Sequence, residues 1–365
     1  MNDTAFAMQQ VTGADAASDG LVALIAAAVR SDPARVLFED DHRAATARQV
    51  AHRVDRLADQ LRAGSLQPGE HVLVVVGAQV EAPITIAAAL QAGLRPVLAA
   101  CDLGPVDLAA IARAASAAAL IGPSRYGDLD LGETYLSTAA LAEGVRGVLT
   151  FGCPAPDGAM DVSMPVLDGM DAPDRPAPPS EIAASTIVTV AAPRSGSPRL
   201  IPHDGHSLAA AARSVIDALP LAPGGPVLSL ISPATLASLA GGLFAALLRN
   251  QRYVLHGPFD GASFLARCDG AGAYSLLAPA GAATALVESG VTRGAASLVL
   301  VSRSEQITTS GGGGDAGCPV LDLDAFGERS IRVARRPEPN GDAVERWRSD
   351  RDEDGSRPGF GRAVR

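Results

Sequence analysis

Hydrophobic and polar positions alternate along this chain in two ways, one typical of buried strands and one typical of helices. Residues 71–77 (HVLVVVG) form a continuous apolar run of strand length, as expected for a parallel strand that is buried on both faces. Residues 46–63 place apolar side chains on one face at helical spacing, and Thr46 is the predicted cap. Segments of the two kinds follow each other repeatedly, which predicts parallel sheets covered by helices.

The same patterns predict the remaining elements, and they divide the chain into two halves of strand–helix alternation. The predicted strands are 35–39, 71–77, 94–100, 117–121, 147–151, 186–190, 226–231, 252–256, 273–277, 297–301 and 319–326. The predicted helices are 20–30, 46–63, 82–93, 105–115, 205–219, 235–249, 260–268 and 279–289. The helix at 235–249 is almost wholly apolar, which favours a buried core helix over a protein interface.

Local composition predicts where the two halves begin and end. Residues 153–182 are rich in Pro, Asp and Gly and are expected to form a linker. It separates a first α/β subdomain, 20–152, from a second, 183–332. Residues 1–19 are small and polar and are expected to be flexible. Residues 333–365 are dense in both charges and are expected to be a disordered tail.

Charge narrows the range of functions. The formal net charge is −10, which argues against nucleic acid or an anionic membrane as the main partner. All 30 basic side chains are arginine, so any mechanism that needs a lysine of this chain is excluded.

Cysteine spacing and hydropathy indicate a cytoplasmic protein. The four cysteines are far apart and form no CxxC pair, so neither a zinc site nor a disulfide scaffold is predicted. The N-terminal segment lacks the features of a signal peptide, and the hydropathy pattern predicts no membrane span.

A set of spaced positions in the first half matches a known family pattern. TARQVAHRVDRLADQLRAGSLQPGEHVLVVV and AALQAGLRPV follow the order helix, L-x-P-G-D-x-V, buried strand, and helix ending in A-G-x-x-P-V. The matching positions are Arg53, Leu57, Leu61, Pro68, Gly69, Val72, Ala92, Gly93, Pro96 and Val97. This segment resembles the opening of the adenylate-forming superfamily, which includes acyl-CoA synthetases, peptide-synthetase adenylation domains and luciferases.

The second half is similar to the same superfamily in the order of its elements. Phe259, Asp260 and Phe264 lie where the family pattern has the segment G-x-x-V-x-x-x-x-F-D and the following helix. The resemblance spans roughly residues 20–335. It implies two similar subdomains with parallel sheets sandwiched by helices, as in the large N-terminal domain of acyl-CoA synthetases. The family's small C-terminal domain, with its hinge and catalytic lysine, is expected to be absent.

The resemblance also places a phosphate-binding loop after the strand at 186–190. The family loop reads [ST]-S-G-[ST]-T-G-x-P-K-G, and its hydroxyls, backbone N–H groups and glycines surround the phosphates of ATP. In this chain AAPR (191–194) replaces the first four positions, Arg199 stands for the lysine and Leu200 for the last glycine. We call the remaining outline the remnant phosphate loop; it consists of Ser195, Gly196, Ser197, Pro198 and Arg199. The resemblance implies at most a weak anion site here, and an ordinary surface loop is the alternative.

The family's Y-G-x-T-E motif is also altered. Its threonine contacts the α-phosphate and its glutamate binds Mg²⁺; the best counterpart here is Phe326–Gly327–Glu328, followed by Arg329 and Ser330. Glu328 comes two places early, so we expect its side chain to point elsewhere. Phe326, Gly327 and Glu328, together with His203, are the candidates for a remnant nucleotide or acyl pocket.

Two further polar clusters have simpler interpretations. His203–Asp204–Gly205–His206 could suggest a metal site, but no third ligand is in view, and Asp204 or Ser207 fits a helix cap. Residues 39–42 (EDDH) follow a strand and are expected to form a solvated turn.

These losses together predict a non-catalytic protein. We expect no catalytic residue, no metal site, and at most weak binding of ATP, AMP or acyl-CoA. The expected role is a pseudoenzyme that acts as a partner or regulator. The resemblance alone implies its context, which is lipid or natural-product metabolism, beside an active adenylate-forming relative or a carrier protein. The alternative is a divergent acid–CoA ligase that is completed by a C-terminal domain from another chain. A third class is an interaction protein that uses residues 333–365.

Overall fold

A computed structural model describes residues 20–64, 66–152, 155–169, 186–192, 194, 197–219, 224–304 and 316–336. The helices are α1 Leu21–Ser31, α2 Ala47–Ala63, α3 Glu81–Gln91, α4 Pro105–Ala115, α5 Gly132–Leu141, α6 Met164–Asp168, α7 Gly205–Ala218, α8 Leu236–Ser238, α9 Ala245–Leu248, α10 Gly261–Gly270 and α11 Ala283–Glu288. A π-helical segment, Leu239–Phe244, joins α8 to α9, and 3₁₀ turns lie at Ala280–Ala282 and Val291–Gly294.

The strands are β1 Val36–Glu39, β2 Ala44–Thr46, β3 His71–Val76, β4 Arg95–Ala100, β5 Ala119–Pro123, β6 Arg125–Tyr126, β7 Leu129–Asp130, β8 Gly147–Phe151, β9 Met160–Asp161, β10 Thr186–Ala191, β11 Arg199–Asp204, β12 Val227–Ser229, β13 Tyr253–Leu255, β14 Tyr274–Pro279, β15 Ala295–Ser304, β16 Val320–Phe326 and β17 Ser330–Arg335. The first sheet has the order β11-β10-β4-β3-β5-β8-β9, and the second has the order β17-β16-β15-β14-β12-β13-β1-β2. A separate hairpin is formed by β6 and β7.

Both sheets are parallel in their interiors and carry antiparallel pairs at or near their edges. The antiparallel pairs are β10 with β11, β16 with β17, and β1 with β2. The inner strands are buried on both faces because helices cover each sheet, and this explains the continuous apolar run of β3, whose residues Val72 to Val76 are all buried. The predicted class, parallel sheets sandwiched by helices, is confirmed.

Three groups of helices fill the space around the two sheets. Between the sheets lies the largest core, to which α1, α2, α3 and the helical segment α8–α9 contribute buried side chains. The helices α4 and α5 pack on the first sheet, and α10 and α11 pack on the second. The apolar segment predicted as a buried core helix lies in the middle layer, where Leu236 to Leu247 are all buried. Among the described residues, no helix is both long and apolar enough to cross a membrane.

Capping interactions confirm several predicted helix ends. Thr46 and Gln49 form a reciprocal capping box at the start of α2. The Asp204 carboxylate accepts a hydrogen bond from the Ser207 N–H at 2.6 Å and caps α7. Gly93 has φ +80°, as expected for the glycine that follows the end of α3.

The structure corrects the sequence prediction in three segments. Residues 160–168, predicted as part of a linker, form β9 and α6, because Val162, Met164 and Leu167 are buried in the core. The segment 199–204 forms the edge strand β11 rather than a loop. Residues 333–335, assigned to the disordered tail, belong to β17; residues 337–365 and 1–19 lie outside the described residues.

Sheet membership also differs from the predicted grouping of strands. β10 and β11 follow the predicted linker but belong to the first sheet, where Val188 pairs with Val97. β1 and β2 precede it but belong to the second sheet, where Phe38 pairs with Tyr253. Each sheet therefore takes strands from both predicted subdomains, because long-range pairing brings them together. The subdomain bounds themselves stay a prediction.

Candidate functional site

A cavity of about 360 Å³ lies between the two sheets, at the carboxyl ends of their strands. Its wall is formed by residues at or just after the ends of β3, β4 and β10 in the first sheet and of β12, β14 and β15 in the second. Most of the lining side chains are apolar, including Leu98, Leu103, Leu230 and Val301. Ligands of open α/β sheets bind at this edge because loops there leave a crevice. We call this cavity the inter-sheet cleft.

Among the described residues, three charged side chains line the cleft: Asp102, Arg194 and Arg303. Arg194 donates to the Asp102 carboxylate at 2.6 Å, and both side chains are more than half exposed. Arg303 projects from the end of β15 and is 45% exposed. Its Nη2 donates to the Val190 carbonyl oxygen of the first sheet at 3.4 Å, so this side chain bridges the two sheets.

The Arg303 guanidinium is hydrogen-bonded to the buried carboxylate of Glu328, which does not itself line the cleft. Glu328 lies in the turn between β16 and β17, where both it and Gly327 have positive φ and the Arg329 N–H donates to the Phe326 carbonyl. This turn directs Glu328 inward, and its side chain is 3% exposed. Oε1 accepts from Arg303 Nε at 3.1 Å, and Oε2 accepts from the Leu236 N–H at the start of α8 at 2.6 Å.

Two uncharged lining side chains, partly buried Tyr126 and buried Cys101, are protonated at neutral pH. Burial raises the pKa of the Tyr126 hydroxyl to about 12. Burial also raises the pKa of the Cys101 thiol far above its usual range. A buried thiol in apolar surroundings is a poor nucleophile, so Cys101 serves as a wall residue.

The remnant phosphate loop follows β10 in sequence and ends at the first residue of β11. Ser195 and Gly196 are outside the described residues, whereas Ser197 and Pro198 lead into β11. Arg199 is the first residue of β11, and its guanidinium lies 3.8 Å from the position that a Cβ would take on Gly327. The structure thus brings the altered loop next to the altered Y-G-x-T-E motif.

His203 lies on β11, in the hairpin with β10, and its side chain contacts other residues of the fold. Its Nε2 is 2.8 Å from the Thr189 hydroxyl on the neighbouring strand, and the side chain is buried. Burial lowers the pKa of His203 to about 4, so the imidazole is neutral at physiological pH. In the described residues, no group of three His, Cys, Asp or Glu side chains could hold a metal ion.

The segment predicted as a solvated turn, 39–42, instead contributes three carboxylates to a charge network, in which Asp40 is buried and Glu39 and Asp41 are partly buried, whereas His42 is exposed. Asp40 is 4% exposed and accepts hydrogen bonds from the N–H groups of His42, Arg43 and Val80. Asp41 Oδ1 is 2.7 Å from His256 Nδ1 and 3.2 Å from Arg267 Nε. The Glu39 carboxylate forms ion pairs with Arg252 at 2.7 Å and with Arg267 at 2.6 Å. The prediction of a solvated turn was wrong because these partners are remote in sequence.

Comparison with known proteins places this architecture in a family. The family model described as AMP-binding enzyme matches residues 25–266, which is more than half of the chain. The chain belongs to the AMP-binding enzyme family. No curated protein sequence matches it.

Several solved structures share the fold at low sequence identity. An anthranilate CoA ligase in complex with anthranoyl-AMP is 16% identical with a TM-score of 0.68, over 84% of this chain and 59% of the ligase. A putative long-chain-fatty-acid CoA ligase from Rhodopseudomonas palustris is 15% identical with a TM-score of 0.70, over 87% and 78%. The N-terminal subdomain of Klebsiella oxytoca NpsA, in complex with 3-hydroxyanthranilyl-AMSN, is 15% identical with a TM-score of 0.64, over 87% and 76%.

The candidate residues from the sequence lie beside the inter-sheet cleft rather than on its wall. Among the described ones, Ser197, Pro198, Arg199, His203, Phe326, Gly327 and Glu328 are not lining residues. Glu328 reaches the wall only through Arg303. The sequence missed Asp102 and Tyr126, although the position of Asp102 just after the predicted strand 94–100 was a usable signal, because parallel strands present their carboxyl ends to ligands. The assignment of candidate residues to a nucleotide or acyl pocket stays a prediction.

Proposed function

We propose that this chain is a non-catalytic member of the AMP-binding enzyme family, which keeps a small-molecule cleft and acts as a partner or regulator. The engagement of Glu328 carries the proposal. In the family pattern a glutamate near this position binds Mg²⁺, but here both carboxylate oxygens are already hydrogen-bonded, one to Arg303 and one to the Leu236 N–H. Such a carboxylate is a poor metal ligand, because a metal would have to displace two charge-assisted or buried hydrogen bonds.

The composition of the phosphate loop supports the same proposal. Arg199 stands in place of the lysine, and Leu200 in place of the last glycine, where it pairs with Val190 in the strand ladder. A side chain at that position prevents the close backbone approach that glycine allows. Stabilisation of charge on a transferring phosphate needs cations and donors in fixed places, and this chain offers few of them.

A second function remains a candidate: a ligase that a C-terminal domain from another chain completes. The observation in its favour is the inter-sheet cleft itself, which lies at the carboxyl ends of the parallel strands, where open α/β sheets bind ligands. The chain also spans only 59% of the length of the anthranilate ligase.

Pyrophosphate exchange with a panel of carboxylic acids separates the two functions. We expect no exchange above the no-acid background, with or without an added C-terminal domain of an active relative. Exchange that disappears in Arg199→Ala but persists in Arg95→Ala would refute the non-catalytic proposal. Arg95 is a matched control because it is exposed and begins β4, at the strand end away from the cleft.

We also propose a cytoplasmic location and a role beside an active relative or a carrier protein in lipid or natural-product metabolism. The solved structures that resemble this chain are less than 20% identical to it, so they show the fold and do not name a partner. The partner must therefore be identified by experiment. Adding the purified chain to an active relative should change the kcat or the stability of that relative. An unchanged relative, tested with several acids, would count against a regulatory role.

A further inference from the structure

Two of the described arginines line the inter-sheet cleft, and Arg303 is the one that a buried carboxylate holds in a fixed orientation. Arg194 is paired with Asp102 at the rim. Arg303 uses Nε for Glu328 and Nη2 for the Val190 carbonyl, which occupies one edge of the guanidinium. Its Nη1 makes no hydrogen bond within the described part of the chain, and the side chain is 45% exposed on the cleft wall. The planar donor fork therefore keeps donors for a ligand in the cavity.

We propose that Arg303 determines the specificity of the cleft, by binding the carboxylate of a small acid with an apolar body directly and without a nucleotide. This inference rests on the proposed non-catalytic function and names the ligand class of the same site. Guanidinium matches carboxylate with two parallel hydrogen bonds, which gives both strength and orientation. The apolar wall takes the remainder of the ligand, because burial of hydrocarbon supplies most of the affinity in such pockets.

Charge balance around the cleft favours a monoanion over a polyphosphate. The four charged groups at the site, Asp102, Arg194, Arg303 and Glu328, sum to zero. A single carboxylate can be accommodated next to Arg303, whereas a triphosphate would bring several negative charges close to two protein carboxylates. Arg199, which stands in place of the family lysine, is not among the lining residues that could offset them.

Arg303 is a feature of this chain rather than of the family pattern. The segment Ser302–Arg303–Ser304 stands where the family has an S-G-G turn, so glycine would leave this part of the wall without a side chain. Glu328 positions the guanidinium: with one oxygen on Arg303 Nε and the other on a backbone N–H, it fixes the direction of the fork before a ligand arrives.

The test measures the preference for an acid over its neutral amide in the absence of nucleotide. Hexanoate and benzoate are titrated calorimetrically into the full chain and compared with hexanamide and benzamide, which have nearly the same shape. We expect the wild type to favour the acid by about tenfold or more, as for a charge-assisted hydrogen bond. Equal affinities, or no binding of any of the four probes at millimolar concentration, would overturn the proposal.

A pair of variants keeps the result independent of folding. Arg303→Met alone would leave the buried Glu328 unpaired, so both variants carry Glu328→Gln. In E328Q, Arg303 remains and the acid preference should persist. In E328Q/R303M the preference should fall to within about twofold of unity, and E328Q/R303K, which restores a point charge, should recover part of it.

Other outcomes have defined meanings. If E328Q and E328Q/R303M show the same acid preference, Arg303 does not recognise the ligand. If Arg194→Gln abolishes the preference and the Arg303 variants do not, the rim cation is the recognition group, and the proposal is equally overturned. Pyrophosphate exchange is measured separately, and its detection would refute the non-catalytic function. The ratio of acid affinity to amide affinity would still show whether Arg303 recognises the carboxylate.

Discussion

Substitution of Glu328 should separate three contributions to the stability of the turn behind the cleft. The carboxylate accepts the Leu236 N–H, pairs with a half-exposed Arg303, and belongs to a residue with φ +60°. Alanine removes both contacts and keeps the unfavourable backbone conformation. Glycine removes both contacts but adopts the backbone freely. Glutamine keeps an oxygen for the N–H and removes the charge.

The expected changes in the free energy of unfolding follow from how deeply each of these contacts is buried. An unsatisfied buried N–H costs about 1–3 kcal/mol, and an ion pair with a half-exposed arginine contributes at most about 1 kcal/mol. Glu328→Ala should therefore lower the free energy of unfolding by about 3 kcal/mol. Glu328→Gly should lose about 1 kcal/mol less than the alanine variant, since a left-handed conformation disfavours a Cβ. Glu328→Gln should lose about 1 kcal/mol.

Urea-induced unfolding followed by circular dichroism measures these differences. The expected order of midpoints is wild type, Gln, Gly and then Ala. An alanine variant as stable as wild type would show that the buried carboxylate does not hold the helix start. An alanine variant more stable than the glycine variant would contradict the assigned backbone strain.

Three further predictions concern other parts of the fold. Because burial lowers the pKa of His203 from 6.5 to about 4, the unfolded chain takes up its proton first, and stability should fall as the pH drops from about 6.5 to about 4. The loss of stability is at most about 3 kcal/mol. Urea titrations of wild type and His203→Gln at each pH should report it as a difference in the free energy of unfolding. If stability falls with pH equally in both proteins, the assigned burial is contradicted. Gly122→Ala places a Cβ 2.8 Å from Cζ of the buried Tyr135 and should cost about 2 kcal/mol, whereas Gly147→Ala, with nothing within 4 Å, should change stability by less than about 0.5 kcal/mol in the same denaturation assay. Asp41→Ala leaves a buried imidazole and a guanidinium without their carboxylate and should cost about 3 kcal/mol; thermal unfolding indistinguishable from wild type would refute the importance of this network.

Elements with a strong apolar period could be predicted from the sequence, and weakly patterned edge strands could not. The β3 run and the apolar helical segment at 235–249 are found as predicted because burial on all sides leaves an unambiguous pattern. β11 and β17 were missed because edge strands are half exposed: Pro202 interrupts the first, and three arginines lie in or at the end of the second.

The candidate site was harder to predict because its contacts are remote in sequence. The structure places Arg199 beside Gly327, although the two residues are far apart in sequence. The engagement of Glu328 could not be predicted, since its partners Leu236 and Arg303 lie 92 and 25 positions away. The same holds for Asp41, whose contact with Arg267 spans 226 positions. The local sequence pattern indicates which positions are apolar or polar, but it does not indicate which charged residues, distant in sequence, contact them.

The exchange of strands between the two sheets has a consequence for synthesis of the protein. β1 cannot complete its parallel pairing until β13, more than 200 residues later, has left the ribosome. At about 5–20 residues per second, the apolar side chains of Leu37 and Phe38 lack this partner strand for on the order of ten seconds or longer. The nascent chain is therefore exposed to aggregation for most of its elongation, and a truncation between the two halves leaves both sheets incomplete.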